Sequence, residues 1–227
     1  GDVSPSGKMP FTMYNGDYQL PIFGRYDMRG KAYGGSKGRT FRFLETRPLW
    51  YFGYGLGYSR FEMSKLMVTP VRDVPVCSPM ELHLQVEEIA GVRGAEIVQV
   101  YVSRFDPKEN PQAVRVSLAG YQRVFLEAGQ KNTNVTIRVS ARSLAEVVVV
   151  SNSNASAAGW MWTPGKVRVW VGGRSPTVEE ISSEKNGRQK RRGQQQQPRT
   201  QKMLYAELVL KGAAPQRCSG FHLYDKV

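Results

Sequence analysis

Between residues 61 and 210, apolar and polar side chains alternate in short runs, and this alternation is the dominant pattern of the chain. In the run LHLQV it places Leu82, Leu84 and Val86 on one face. A period of two residues is typical of a strand with one buried face, because successive side chains point to opposite sides of a sheet. Similar runs occur at 61–69, 96–102, 118–126, 134–139, 144–150, 166–172 and 203–210. We therefore predict about eight strands.

The stretches between these runs favour turns, as in AGVRG, DPKENPQ and LEAGQ, and no convincing amphipathic helix of ten or more residues interrupts them. Short alternating strands with frequent turn signals are typical of an antiparallel β-sandwich of the immunoglobulin or fibronectin type. We expect this sandwich to span residues 61–212. In the run NVTIRV the alternation buries Val135, Ile137 and Val139 and points Asn134 toward solvent.

Residues 1–60 have a different character, rich in Gly, Pro, Tyr and Arg and without a core of their own. A segment this irregular is expected to lie against the sandwich or against a further domain upstream. Within it, residues 48–61 read PLWYFGYGLGYSRF, with six aromatic side chains and three glycines in fourteen positions. Glycine allows close approach of another chain but weakens a regular element.

This aromatic stretch has two interpretations. Trp50, Tyr51, Tyr54 or Tyr58 would serve as a platform for a sugar ring, or the stretch would pack between two domains. Aromatic side chains mostly contribute buried area to cores and interfaces, which favours packing. We therefore interpret residues 48–58 as a hinge whose packing residues are Trp50, Tyr51, Phe52, Tyr54 and Tyr58.

Of the net charge of +13, nearly half lies in one short segment, and the remaining +7 is spread along the chain. Residues 184–202, EKNGRQKRRGQQQQPRTQK, hold seven Lys and Arg and one Glu, a net of +6. The segment lacks the apolar residues that would offset the entropy of ordering, so we predict a flexible insertion in the sandwich, with residues 213–227 as a C-terminal tail. Nucleic-acid modules usually combine basic residues with positioned aromatics or a groove-reading helix, so we expect no nucleic-acid partner.

Other composition signals exclude several classes of site. No run approaches the roughly 18–20 apolar residues of a membrane helix, so no membrane partner is expected. His83 and His222 do not stand in ligand spacing with a cysteine, so we expect no metal and no cofactor. Cys77 and Cys218 allow at most one internal disulfide, and whether they pair stays open.

Two sequons, at Asn134 and Asn154, are candidate glycosylation sites and give modest support for a secretory route. The chain begins with Gly1 rather than methionine, which suggests a fragment of a longer protein.

Several motifs resemble one enzyme family. PSGKMPFTMY, YDMRG, GRTFRF and PLWYFGYGLGYSRFEMSKL occur in an order that is similar to the C-terminal part of glycoside hydrolase family 3, which includes β-glucosidases and β-xylosidases. AEIVQVYVS, LAGYQRVFLEAGQ and WMWTPGKVRVWVGG resemble successive strands of the fibronectin type III-like domain of such enzymes. The resemblance covers nearly the whole chain except residues 184–202 and about the last fifteen. Gly57 departs from the family pattern, where serine is usual, and Gly30 stands where proline is common.

The resemblance implies a retaining glycosidase with a barrel, an α/β sandwich and the fibronectin-like domain. Residues 1–60 would then be the tail of the α/β sandwich domain plus an interdomain linker. A retaining enzyme uses two carboxyl groups about 5–5.5 Å apart. The resemblance places the Asp nucleophile on the barrel and, in many members, the Glu acid/base on the α/β sandwich. Neither Asp17 nor Asp27 matches a catalytic motif, so no catalytic residue is expected in this chain.

The resemblance further implies that the loop formed by Tyr26, Asp27, Met28 and Arg29 lies nearest the sugar in the complete enzyme. The expected partners of the chain are the upstream barrel and α/β domains and a carbohydrate substrate. The expected location of the protein is secreted, lysosomal or vacuolar. The alternative is a stand-alone fibronectin-like binding module or an inactive hydrolase relative.

Overall fold

The computed structural model describes residues 2–29, 37–104, 114–127, 129–152, 155–182, 203–213 and 215–218. Within these ranges the chain forms ten strands: β1 Phe61–Thr69, β2 Asp73–Val74, β3 Met80–Glu88, β4 Gly94–Ser103, β5 Ser117–Leu126, β6 Asn132–Val139, β7 Glu146–Asn152, β8 Ala155–Met161, β9 Gly165–Gly172 and β10 Leu204–Leu210. The helical elements are short: a 3₁₀ turn Asp17–Gln19, α1 Thr40–Phe43, α2 Ala141–Leu144 and α3 Val178–Ser182.

The strands form two main sheets and a hairpin. One sheet has the order β1-β3-β6, the other has the order β2-β10-β9-β4-β5, and β7 pairs with β8. All neighbours are antiparallel except β10 and β2, which pair in parallel through Val209–Asp73 and Leu210–Val74. The predicted antiparallel β-sandwich is therefore confirmed, with this short parallel pair as the exception.

The core lies between the two sheets and follows the period-two pattern of the sequence. Val135, Ile137 and Val139 of β6 are buried, whereas Asn134 is exposed. Facing side chains from β3, β4 and β9 belong to the same apolar cluster. Each aliphatic side chain of this kind contributes about 1.5–3 kcal/mol when it leaves water, so one strand face stabilises the sandwich by several kcal/mol.

Two strands differ from the sequence prediction. β8, with the sequence ASAAGWM, is rich in small residues and lacks the β-branched side chains that favour strands. β2 is only two residues long, too short to show a period. Both form because a neighbouring strand, β7 or β10, offers backbone groups for pairing.

A disulfide joins Cys77, between β2 and β3, to Cys218, after β10, with the two Cα atoms 5.4 Å apart. The segment before Cys218 is held by backbone bonds from Trp162 N to Gln216 O (2.7 Å) and from Gln216 N to Trp162 O (2.8 Å). The fully buried Trp162 also donates its Nε1–H to the carbonyl of Lys211 at 2.9 Å. The pairing left open by the sequence is thus present, and it fixes the segment around Cys218 on the sandwich.

Candidate functional site

Residues 4–13 lie antiparallel to residues 49–59, and we call this paired region the seam. Met9 N donates to Tyr54 O at 2.8 Å, Gly53 N donates to Met9 O at 2.9 Å, and Met13 N donates to Trp50 O at 3.0 Å. The aromatic stretch therefore obtains its backbone partners from the start of the chain, about 40 residues earlier.

The sandwich side of the seam is aromatic. Phe52 stacks on Phe41 with ring centroids 4.3 Å apart, and Phe41 meets Tyr101 edge-on at 6.0 Å. Tyr101 and Trp170 belong to β4 and β9 but point away from the main core, into a second apolar cluster. The rings of residues 41 and 52 thus cover the outer face of the five-stranded sheet, and aromatic contacts of this geometry add about 0.5–1.5 kcal/mol to the area buried.

A buried polar contact fixes the seam at Gly53. The Gln99 side chain is 3% exposed and donates its Nε2–H groups to the carbonyls of Gly53 and Gly173, each at 3.0 Å. The Tyr101 hydroxyl donates to Gln99 Oε1. Gly53 has a φ of +78°, and a Cβ atom there would lie 2.8 Å from the Tyr101 hydroxyl oxygen. Glycine is therefore required here by both conformation and space.

Close packing also explains why glycine occupies position 57. The Ser4 Oγ accepts hydrogen bonds from Tyr58 N at 3.0 Å and Ser59 N at 3.2 Å, which draws the first residues over the seam. A Cβ atom on Gly57 would lie 2.7 Å from the carbonyl oxygen of Pro5. The departure from serine at this position therefore suits the close approach of the two segments.

The loop that holds Tyr26 to Arg29 is braced from one side by Arg39. Arg39 Nε donates to the carbonyl of Asp27 at 3.2 Å, and Arg39 N donates to the carbonyl of Met28 at 2.9 Å. Tyr26 is 86% exposed, and Asp27 Oδ2 is buried without a hydrogen-bond partner among the described residues. The arrangement leaves the aromatic ring of Tyr26 at the surface of the loop, while Asp27 is partly buried.

The same N-terminal region carries an unusual amount of exposed apolar surface. Phe23 is fully exposed, and Ile22 is 73% exposed. Six further large side chains between residues 11 and 28 are at least one-third exposed: Phe11, Met13, Tyr18, Leu20, Tyr26 and Met28. A concentration of this kind is typical of a surface that another protein segment covers.

Comparison with known proteins matches residues 96–175 to the fibronectin type III-like domain. This chain contains a fibronectin type III-like domain. The domain match begins in β4 and ends after β9, so it includes the strands on which the seam lies.

The relatives of the chain are glycoside hydrolases of family 3. A xylan 1,4-beta-xylosidase of Xylanibacter ruminicola is 31% identical over 144 residues, which is 63% of this chain and 15% of the relative. The thermostable beta-glucosidase B of Acetivibrio thermocellus is 30% identical over 179 residues, which is 76% of this chain and 22% of the relative. The chain thus spans about a fifth of the length of these relatives.

Solved structures show the same fold. The GH3 beta-glucosidase of Bifidobacterium adolescentis has a TM-score of 0.59 at 21% identity, with 91% of this chain and 26% of that chain covered. The beta-D-glucoside glucohydrolase of Trichoderma reesei has a TM-score of 0.60 at 19% identity, with 93% and 27% covered. The chain is similar to the part of family 3 glycoside hydrolases that includes the fibronectin type III-like domain, as the sequence motifs predicted.

Against this background the five aromatic residues assigned to packing fall into three environments. Tyr51 is buried, and Phe52 packs on Phe41. Trp50 and Tyr54 stack on each other at 4.7 Å and are half-buried. Tyr58 is 59% exposed. Their assignment to interdomain packing remains a prediction, and Tyr58 has the least contact with this part of the chain.

The other sequence candidates lie outside the seam. His83 lies on β3, where its Nδ1 is 3.0 Å from Thr136 Oγ1. Asn134 is exposed on β6, whereas Asn154, His222 and residues 184–202 lie outside the described residues. Asp17 is exposed on the 3₁₀ turn. Within the described ranges no group of three His, Cys, Asp or Glu side chains is arranged to hold a metal, and no helix is long and apolar enough to cross a bilayer.

A largely buried ion pair, Arg174 with Glu180, lies beside Tyr51 of the seam, and no sequence pattern predicts it. The Arg174 guanidinium is 5.4 Å from the centroid of the Tyr51 ring and 3.1 Å from Glu180 Oε2. The Tyr51 hydroxyl is buried without a hydrogen-bond partner among the described residues. Burial, reinforced by the negative charge of Glu179, raises the pKa of Tyr51 to about 12.

This shift predicts how the fold responds to alkali. A tyrosine ionises at about pH 10 in the unfolded chain, so a folded-state pKa of about 12 gives stability that is complete below pH 10 and is lost as the pH rises from 10 to 12. The Tyr51→Phe variant is therefore expected to lose less stability than the wild type between pH 9 and pH 11.5, measured by urea unfolding. Tyr58→Phe, at an exposed position, is the matched control. Equal losses in Tyr51→Phe and the wild type would contradict the assignment.

Proposed function

We propose that this chain is the C-terminal, non-catalytic portion of a retaining glycoside hydrolase that cleaves β-linked glucosides or xylosides. The observation that carries the proposal is the combination of a fibronectin type III-like sandwich with relatives of which it covers only 15–22%. Residues 1–60 form the tail of the α/β sandwich domain and the linker. Residues 61–212 form the fibronectin-like domain with an insertion at 184–202, and residues 213–227 form the tail.

In this proposal the chain acts as a brace between domains. The seam joins residues 4–13 to residues 49–59 and is anchored on the outer sheet face by Phe52 and Gln99. The exposed apolar side chains between residues 11 and 28 then face the upstream α/β and barrel domains, which cover them. Burial of this surface by another domain would contribute about 25 cal/mol for each Å² of apolar area removed from water.

The proposal leaves both catalytic carboxyl groups to the upstream domains. The loop of Tyr26 to Arg29 is the part of this chain that lies nearest the substrate. Its exposed tyrosine suits contact with the apolar face of a sugar, and the Arg39 brace holds the loop in place. The role of this loop is substrate positioning, with no bond-making step assigned to it.

The test is an assay of the 227-residue chain on aryl β-glucosides and β-xylosides, followed by the same assay with the upstream domains attached. We expect no turnover by the chain and turnover by the longer protein. Turnover by the chain that disappears in Asp17→Asn or Asp27→Asn would overturn the proposal. An inactive longer protein would instead support the alternative of an inactive relative or a binding module.

We also propose a secreted, lysosomal or vacuolar location. The disulfide between Cys77 and Cys218 is of the kind that persists in oxidising compartments, and the sequon at Asn134 lies on an exposed strand face. A shift in electrophoretic mobility after N-glycosidase treatment is the expected result, smaller in Asn134→Gln and absent when Asn134 and Asn154 are both replaced by Gln. A reduced thiol at Cys77 in the purified native protein would count against this location.

A further inference from the structure

A groove of about 870 Å³ lies where α1, α2 and the hairpin β7–β8 approach each other, and we call it the arginine groove. Arg42 of α1, Ser140 and Arg142 at α2, and Trp160 of β8 are among the residues that line it. Its apolar lining includes Phe52 and other residues that also contact the sheet. The groove is formed by segments more than 100 residues apart in sequence.

The charge of the groove is unbalanced toward positive. Glu146 is the single acidic side chain among the described residues that line it, and its Oε1 is 3.3 Å from Arg104 Nε. Arg104 is also held by carbonyl acceptors, with its Nη1 3.2 Å from Leu144 O and its Nη2 3.2 Å from Pro164 O. Among the described lining residues Glu146 is outnumbered by four arginines, Arg29, Arg42, Arg104 and Arg142, of which Arg42 and Arg142 are exposed.

The two exposed guanidinium groups are held beside rings and hydroxyls. Arg142 lies 5.7 Å from the centroid of the Trp160 ring, and Arg42 Nη2 is 3.5 Å from Ser117 Oγ. Ser140 caps α2 by accepting a hydrogen bond from Ser143 N at 3.2 Å. These contacts leave the guanidinium groups with further N–H donors, since each carries five.

An occupant must therefore combine a negative charge, hydroxyl groups and an apolar face. A planar guanidinium binds a carboxylate through two parallel hydrogen bonds, and an indole ring covers the C–H face of a pyranose. We propose that the arginine groove binds a saccharide that carries a carboxylate, that is, a hexuronic acid residue. The requirement for a carboxylate follows from the charges of the groove. The choice of a saccharide depends on the proposed function.

In the proposed binding mode each side of the groove contacts a different part of the saccharide. Arg142 takes the carboxylate and Trp160 the ring face, while Arg42 and the serine hydroxyls take the remaining oxygens. The proposed role of the groove is binding, without cleavage. It would thus hold an acidic branch or an acidic neighbour of the glycoside that the upstream domains cleave.

The test is to titrate the 227-residue chain separately with D-glucuronate, D-glucose and acetate. Binding is measured by isothermal titration calorimetry and by protein-observed NMR. We expect glucuronate to bind at least tenfold more tightly than either of the other two probes. Arg142→Gln should weaken glucuronate binding at least tenfold, because a hydrogen-bonded charge pair is lost. Arg72→Gln, at an exposed position outside the groove, is the matched control and should bind as the wild type does.

Several outcomes would overturn the inference. Equal affinity for glucose would show that the ligand needs no charge. Equal affinity for acetate would show that the ligand needs no saccharide ring. Unchanged binding by an Arg142→Gln variant with the wild-type melting temperature would exclude the arginine groove as the site. Because these measurements involve no turnover, they are separate from the glycosidase assay. An inactive full-length protein that binds glucuronate would contradict the proposed function alone.

Discussion

Replacing Cys77 and Cys218 together by alanine is expected to lower the free energy of unfolding of this chain by about 2–5 kcal/mol. The two cysteines are 141 residues apart, so their bond closes a long loop in the unfolded chain. The chain-entropy relation gives about 5 kcal/mol for a loop of this length, which is an upper value because the unfolded chain retains structure. Alanine is chosen because Cys218 is 7% exposed and serine would bury a hydroxyl.

The expected readout is a fall in the melting temperature of about 4–20 °C, since 1 kcal/mol corresponds to roughly 2–4 °C in a chain of this size. Wild-type protein in reductant should melt like the double variant, and the double variant should not respond to reductant. Both single variants should also match the double variant, because one cysteine alone forms no internal bond. A double variant with the same melting temperature as the oxidised wild type would show that the bond does not constrain the unfolded chain.

The main sandwich is predictable from sequence where apolar side chains alternate with polar ones and are β-branched. β6 illustrates this, because Val135, Ile137 and Val139 are buried while the residues between them face away from the core. β8 is not predictable in this way, since alanine, serine and glycine carry too little apolar surface to show a period. Its pairing depends on β7 and becomes evident only in three dimensions.

The seam shows the same division between local and non-local information. The glycines of residues 48–58 indicate that another chain approaches closely, and the sequence interpretation as a tight linker rests on them. The identity of that chain, residues 4–13, depends on hydrogen bonds across about 40 residues, for which no local pattern exists. Gln99 likewise reads as a surface residue of a strand, yet its side chain is buried because three polar groups surround it.

The arginine groove could not be predicted from sequence for a related reason. Arg42, Arg142 and Trp160 occur in different elements, and each is unremarkable in its own segment. A site of this kind is defined by the approach of α1, α2 and β8, which are distant in sequence. Local periodicity describes single strands but not which short elements meet beside them.

The second large effect is expected at Gly53, where the Gly53→Ala variant should lose about 3 kcal/mol of unfolding free energy. About 1–2 kcal/mol comes from holding an L-residue at a φ of +78°. The remainder comes from overpacking, because the new Cβ would lie 2.8 Å from both the Tyr101 hydroxyl oxygen and Gln99 Cδ. Neither side chain has room to move, since both are almost fully buried.

Gly91 provides a matched control, because its φ is +74° and a Cβ atom there would meet nothing within 4 Å. Gly91→Ala should therefore show the conformational cost alone, about 1–2 kcal/mol, and the difference between the two variants measures the contact with Gln99 and Tyr101. In Gly53→Ala, amide exchange should also accelerate at Gly53 and Tyr54, which belong to the seam, more than at Val135 in the core. If the two variants are equally destabilised, the buried glutamine does not fix the seam, and residues 48–58 are a flexible linker rather than a packed hinge.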